Sequence, residues 1–194
     1  MASRRRTPDL VARRLPRTND AIDYAIRRHL GQRRQADGAP FILHPLEVAS
    51  LLYSVGAPDH VVAAGVLHDV LEKTDADLAE LERQFGHATA SLVRAVSENQ
   101  HVRGYAARKA ALRAQVAAAG DQALMVFAAD KISKVRELRI GDYRAWDRRL
   151  VHYQRCLELL EQRLAASPLV ATLRAELDKL AAAATARAAL AGAR

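Results

Sequence analysis

Gly, Pro and capping residues divide the chain's apolar and polar positions into helical lengths, and strand-type alternation over several residues is nearly absent. The pattern predicts an all-α fold. Asn19 or Asp20 is placed to cap a first helix running to about His29, after which 31–40, with Gly38 and Pro40, reads as an irregular loop. Pro45 suits the first turn of a second helix ending at Gly56. Pro58 and Asp59 start a third, running to about Glu72. Asp75 or Asp77 opens a short helix closed by Phe85 and Gly86, another follows through Val96, and the polar connection 97–104 is expected to border a pocket. Helices over 105–119 and 122–139 are separated by Gly120, and Gly141 then breaks the chain. Short connections imply antiparallel packing.

Trp146, Leu150, Tyr153, Leu157 and Leu160 recur at three- and four-residue spacing, the apolar stripe of an amphipathic helix packed on a core. From Leu169 onward the Ala-rich sequence predicts a peripheral C-terminal helix with a frayed end. The expected organisation is a basic arm over 1–18, one helical domain over 19–166, and a helix over 167–194 packing on or extending from that domain.

Length and composition agree with one domain: the chain has 194 residues, 50% of them hydrophobic and 27% charged. The formal charge of +8 favours polyanions, so phosphorylated ligands are the expected partners. A single cysteine, Cys156, excludes an internal disulfide and a cysteine-based zinc site. Charged residues or His interrupt every stretch approaching the roughly 18 apolar residues of a spanning helix, and the Arg-rich start lacks the apolar stretch of a secretory signal. These features predict a soluble, cytoplasmic protein with no membrane partner. Arg4, Arg5, Arg6, Arg13 and Arg14 form a short arm without aromatic residues, which reads as a solvated tail rather than a specific nucleic-acid contact.

The segment 61–71 is apolar almost all round, yet it carries His68 and Asp69 at its centre. A buried carboxylate requires a cation, several donors or a metal ion. Taken alone, the pair also suits a hydrogen-bonded core contact. His44, at the entrance to a helix, and Asp130, in the apolar run 124–130, are set against core-forming segments in the same way. Two imidazoles and two carboxylates make a mixed N/O set suited to Mn²⁺ or Fe²⁺, with Zn²⁺ also accommodated, and leave positions for water and substrate.

The order His44, His68-Asp69, Asp130 resembles the H…HD…D signature of HD-domain metal-dependent phosphohydrolases. Arg34 and Gly38 upstream of Pro40-Phe41-Ile42-Leu43-His44-Pro45, then 64–74 (Ala64-Gly65-Val66-Leu67-His68-Asp69-Val70-Leu71-Glu72-Lys73-Thr74), then Phe85-Gly86, resemble the hydrolase domain of RelA/SpoT proteins. The length and the lack of a synthetase domain are similar to small alarmone hydrolases. The resemblance spans about residues 20–160 and implies a compact multi-helix HD-domain bundle. It further implies Mn²⁺, or another divalent ion, held by His44, His68, Asp69 and Asp130. The implied substrate is a purine nucleotide, ppGpp, pppGpp or an adenosine counterpart, losing its 3′-pyrophosphate. Such an ion polarises a phosphoryl oxygen and lowers the pKa of a bound water. Glu72, four residues after His68 and three after Asp69, is expected to share their helix and take the proton of the attacking water.

By the same resemblance Arg34, with Arg33 as the nearby alternative, binds a phosphate or stacks on the purine; Lys131 and Arg136 neutralise phosphate; and Tyr143 lies at the nucleotide end of the pocket. Two positions depart from the family. Lys73 stands where an acidic residue usually follows the glutamate, and Lys134 stands where an asparagine usually follows the last metal aspartate by four. Both changes weaken cation binding and strengthen attraction to polyphosphate. A nucleotide-binding module without turnover, and an HD phosphohydrolase of other nucleotides, are the alternative readings. Homo-oligomerisation is left open.

Overall fold

The computed structural model describes residues 15–140 and 146–192. The chain forms α1 (Pro16–Arg28), α2 (Leu43–Ser54), α3 (Asp59–Leu67), α4 (Val70–Lys73), α5 (Leu78–Val96), α6 (Tyr105–Ala119), α7 (Asp121–Ile140), α8 (Trp146–Leu164) and α9 (Pro168–Gly192). Among the described residues, the extended pairing is an isolated antiparallel bridge, Arg33 to Pro40. The fold is the all-α bundle that the pattern predicts.

α3 occupies the middle, packing against α1, α2, α5 and α7. Val61 through Leu67 are buried without exception, so this helix has no polar face to turn outward. Each Val or Leu there contributes about 1.5–3 kcal/mol of burial. α2 can approach α3 closely because position 65 is glycine: a Cβ there would stand 2.4 Å from Leu52 Cδ1 and 3.3 Å from Val48 Cγ1. The polar residues that follow α3 are thereby delivered to the centre of the bundle.

The first helix starts earlier than its expected cap at Asn19 or Asp20. Pro16 takes the first turn, where its missing N–H costs no hydrogen bond, and Asp59 of α3 receives the Arg17 and Thr18 amides. The cap is thus supplied from another element, which local sequence does not reveal. The third helix is shorter than expected, ending at Leu67, with His68 and Asp69 in a turn before α4. Asp77 caps α5 by accepting from the Glu80 amide, and Gly86 at φ 81° kinks it where two helices were expected. The boundaries of α6 and α7 match expectation to within a residue.

α9 lies on α7 and α8, burying Leu169, Val170, Leu173, Leu177 and Leu180 along its first half. Glu176, itself buried, accepts from Arg139 at 2.7 Å and pairs with Arg136 at 3.3 Å. The C-terminal helix therefore shares the core of the preceding bundle. Among the described residues, no helix is long and apolar enough to cross a membrane. The arginines of the N-terminal arm at positions 4–14, Gly141 and Tyr143 lie outside the described residues.

Candidate metal centre and its cavity

Three elements meet at one point. His44 comes from the first turn of α2, His68 and Asp69 from the turn that ends α3, and Asp130 from the buried middle of α7. His44, His68 and Asp130 each offer a ligand atom within 4.8 Å of the others. The two imidazole Nε2 atoms are 3.1 Å apart, with Asp130 Oδ1 3.3 Å from His44 Nε2 and 3.6 Å from His68 Nε2. Asp69 Oδ2 flanks the same nitrogens at 3.7 and 3.5 Å.

Hydrogen bonding behind the imidazoles decides where their protons are. His68 Nδ1 lies 2.8 Å from the Gly65 carbonyl, which can only accept, so this nitrogen carries hydrogen. His44 Nδ1 lies 2.8 Å from Ser133 Oγ, whose own hydrogen goes to Glu47 Oε2 at 2.6 Å, so His44 also donates from Nδ1. Both neutral rings therefore present bare Nε2 lone pairs to each other. Asp69 Oδ2 and Asp130 Oδ1 are buried beside them without hydrogen-bond partners. Four acceptors with no donor among them call for a cation, and mixed imidazole and carboxylate donors match a divalent metal. The residues present fit such an ion.

The charges are consistent with this. Burial pushes the His44 pKa down to about 4, keeping it a neutral ligand. Burial also opposes charge on His68, but Asp69 and Asp130 outweigh it and hold its pKa above the ordinary value. Burial would raise both carboxyls. His68 and Lys134 instead take Asp69 down to about 2, and Lys131, paired to Asp130, takes that group well below the ordinary range.

The cluster opens into a cavity of about 900 Å³ whose wall includes Arg34, Phe41, Glu72, Lys73, Lys131 and Lys134. Glu72 is half-buried, and its Oε1 accepts from the Glu98 amide at 2.6 Å. Burial raises its pKa. It lies on α4, past the break at His68 and Asp69, and not on one continuous helix with them as expected, but it still borders the same cavity. Glu98, in the polar connection, is held by Arg108 and Lys109. Lys131 is buried over the Phe127 ring at 4.5 Å. Arg34 lines the cavity but is paired with Asp37, its guanidinium 4.0 Å from Glu137. Arg33 also lines it, donating to the Gly38 carbonyl.

Arg136 departs from expectation. It lies outside the cavity wall, bonded to Glu47 at 2.7 Å and to Glu176, because six residues of helix turn it away from the Asp130 face toward α2 and α9. Ser133 and Glu137, not singled out from the sequence, are part of the site. Glu137 Oε1 is 3.4 Å from His44 Nδ1, buried and without a hydrogen-bond partner. Their three- and seven-residue spacing from Asp130 along a buried helix was the available signal.

Residues 21–151 match the family described as HD domain. The chain belongs to the HD-domain family. Within it, this HD domain is similar to the human protein named guanosine-3′,5′-bis(diphosphate) 3′-pyrophosphohydrolase MESH1, with 34% identity over 130 residues, 66% of this chain and 72% of that one. A probable guanosine-3′,5′-bis(diphosphate) 3′-pyrophosphohydrolase of Synechocystis sp. is 45% identical over 78 residues, 40% of this chain and 10% of its own length. A GTP pyrophosphokinase of Streptomyces coelicolor is 33% identical over 135 residues, 68% of this chain and 16% of its own. The chain thus spans about a tenth to a sixth of these bacterial relatives. Among solved structures, a metazoan orthologue of SpoT described as hydrolysing ppGpp superposes with a TM-score of 0.72 at 25% identity, over 84% of this chain and 93% of that one.

Proposed function

We propose that this HD domain removes pyrophosphate from the ribose 3′ position of guanosine or adenosine 3′-pyrophosphates, using Mn²⁺ or a similar divalent ion. The observation that carries the reading is the set of two facing imidazole lone pairs and two unpartnered carboxylate oxygens at the floor of a large, lysine-rich cavity. The names of the MESH1 relative and the SpoT orthologue support the substrate class.

In this reading His44, His68, Asp69 and Asp130 hold the ion, which when bound polarises the scissile phosphate and acidifies water. Glu72, tethered through Oε1 to the Glu98 amide, takes the water proton on its carboxylate. Lys73, Lys131 and Lys134 offset phosphate charge, and Arg34 turns from Asp37 toward the nucleotide. Arg136 and Glu47 hold α7 against α2. The expected setting for this activity is the cytoplasm.

Purified protein with Mn²⁺ is incubated with guanosine and adenosine 3′-pyrophosphates, and pyrophosphate is measured. Release from at least one is expected; no release from any rejects the reading. A binding module without turnover is favoured by one feature, the Lys134 ammonium 3.8 Å from Asp69 Oδ2. Calorimetric binding of the nucleotide at saturating Mn²⁺ with no release is the outcome that selects it.

A further inference from the structure

The cations around the cavity differ in how well they are neutralised. Lys131 is paired with Asp130, Lys109 and Arg108 with Glu98, and Arg34 with Asp37. Lys73 has no carboxylate partner among the described residues. Lys134 comes no nearer to one than 3.8 Å, at Asp69 Oδ2, beyond hydrogen-bond reach. Both ammoniums are held over one ring, Phe41, at 5.2 and 5.5 Å from its centroid. A ring quadrupole attracts a cation but carries no counter-charge. Two positive charges, neither hydrogen-bonded to a carboxylate, thus stand together beside the acceptor cluster, and one of them, Lys134, faces the Asp69 oxygen that the cluster offers to a metal.

A divalent ion entering this cluster meets repulsion from both lysines, and Lys134 competes for the same carboxylate. A phosphoryl ligand of two or more negative charges, such as a diphosphate, meets the same lysines as attraction. Its arrival removes the repulsion felt by the ion, and the ion in turn adds to the attraction felt by the ligand. We propose that Lys73 and Lys134, gathered over Phe41, make the binding of the divalent ion and of a diphosphate ligand mutually dependent, so that the site fills with both or weakly with either. This inference rests on the metal-dependent reading of the cluster and adds an order of assembly to it. Linkage requires the coupling to be equal in both directions.

Calorimetric titration of the whole chain tests it, with Mn²⁺ alone and with Mn²⁺ in the presence of methylenediphosphonate, a diphosphate that is not hydrolysed, after correction for ion held by the free diphosphonate. In the wild type, the diphosphonate is expected to tighten Mn²⁺ binding by roughly tenfold or more, within the usual span of site-to-site coupling. The double variant K73M/K134M, similar in length and uncharged, is expected to bind Mn²⁺ alone more tightly than wild type and to keep less than about threefold coupling. K73R/K134R, which retains both charges, is expected to restore it. Unchanged coupling in K73M/K134M, or weaker binding of Mn²⁺ alone, overturns the inference. Coupling in a protein that releases no pyrophosphate from any of the nucleotides leaves the inference standing and removes the catalytic reading; turnover without coupling does the reverse.

Discussion

In the proposed reading, Glu72 divides one side chain between support and chemistry. Oε1 is occupied by the Glu98 amide, while burial raises the carboxyl pKa above its ordinary value. A base acts when ionised, so kcat is expected to fall as pH drops through a pKa raised from the ordinary glutamate value, and to level off above it. Glu72→Gln keeps the size and the acceptor for the Glu98 amide but removes the base. It is expected to lower kcat by about 10²–10⁴-fold, with Mn²⁺ affinity by calorimetry little changed and the acidic limb gone. A variant that retains that limb would assign it to another group. The place of Glu72 on the cavity wall was legible from its spacing after the His-Asp pair, although the helix breaks at His68 and Asp69 before α4 begins. Ser133 and Glu137 were not, because Ser and Glu within a helix ordinarily read as solvent-facing, and only the packing of α7 against α2 shows that theirs is the buried side. Arg136 was expected at the site through its match to a basic position of the family segment, but the turn of α7 carries it to Glu47 and Glu176.

At the scale of elements, the apolar pattern foretold α6 and α7 to within a residue because Gly104 and Gly120, both at positive φ, punctuate them from within. It overran α3, where His68 and Asp69 end the helix without a glycine or proline, the Gly65 carbonyl accepting the His68 ring N–H. Gly65 thus has two tasks: its carbonyl orients His68, and its bare Cα admits Leu52 of α2. Gly65→Ala sets two effects against each other. Helix propensity favours alanine by about 1 kcal/mol, whereas forcing an extra methyl into a packed core costs about 1–3 kcal/mol. Leu52 is fully buried, so its methyl has no free space to enter, and the clash is expected to win by about 1 kcal/mol. Urea unfolding midpoints measure the balance. A rise in stability would show that α2 yields there at little cost.

For the whole molecule, part of the positive charge behind the formal +8 is carried by Lys109, Lys131 and Arg113, which α6 and α7 bring around His152 of α8. This histidine is buried, accepts a hydrogen bond at Nδ1 from Arg113 at 3.0 Å, and stands edge-on to Tyr105. Burial, followed by Lys131, Lys109 and Arg113, pushes its pKa down to about 2, with Asp130 opposing weakly. The unfolded chain protonates the same residue near pH 6.5, so below that value the unfolded state binds the extra proton and gains on the folded one. The stability contributed by a neutral His152 is therefore complete above pH 6.5 and drains away as pH falls toward the folded value, by about 2 kcal/mol between pH 6.5 and 5. His152→Gln keeps an acceptor for Arg113 and does not titrate. Its unfolding free energy is expected to depend less steeply on pH over that interval than the wild type's, the two curves converging in slope above pH 7. Denaturant titrations at several pH values in metal-free buffer measure the difference without involvement of the His44 and His68 cluster in ion binding. Parallel curves from pH 5 to 7 would mean that the ring gains a proton inside the folded bundle, against the three cations that surround it.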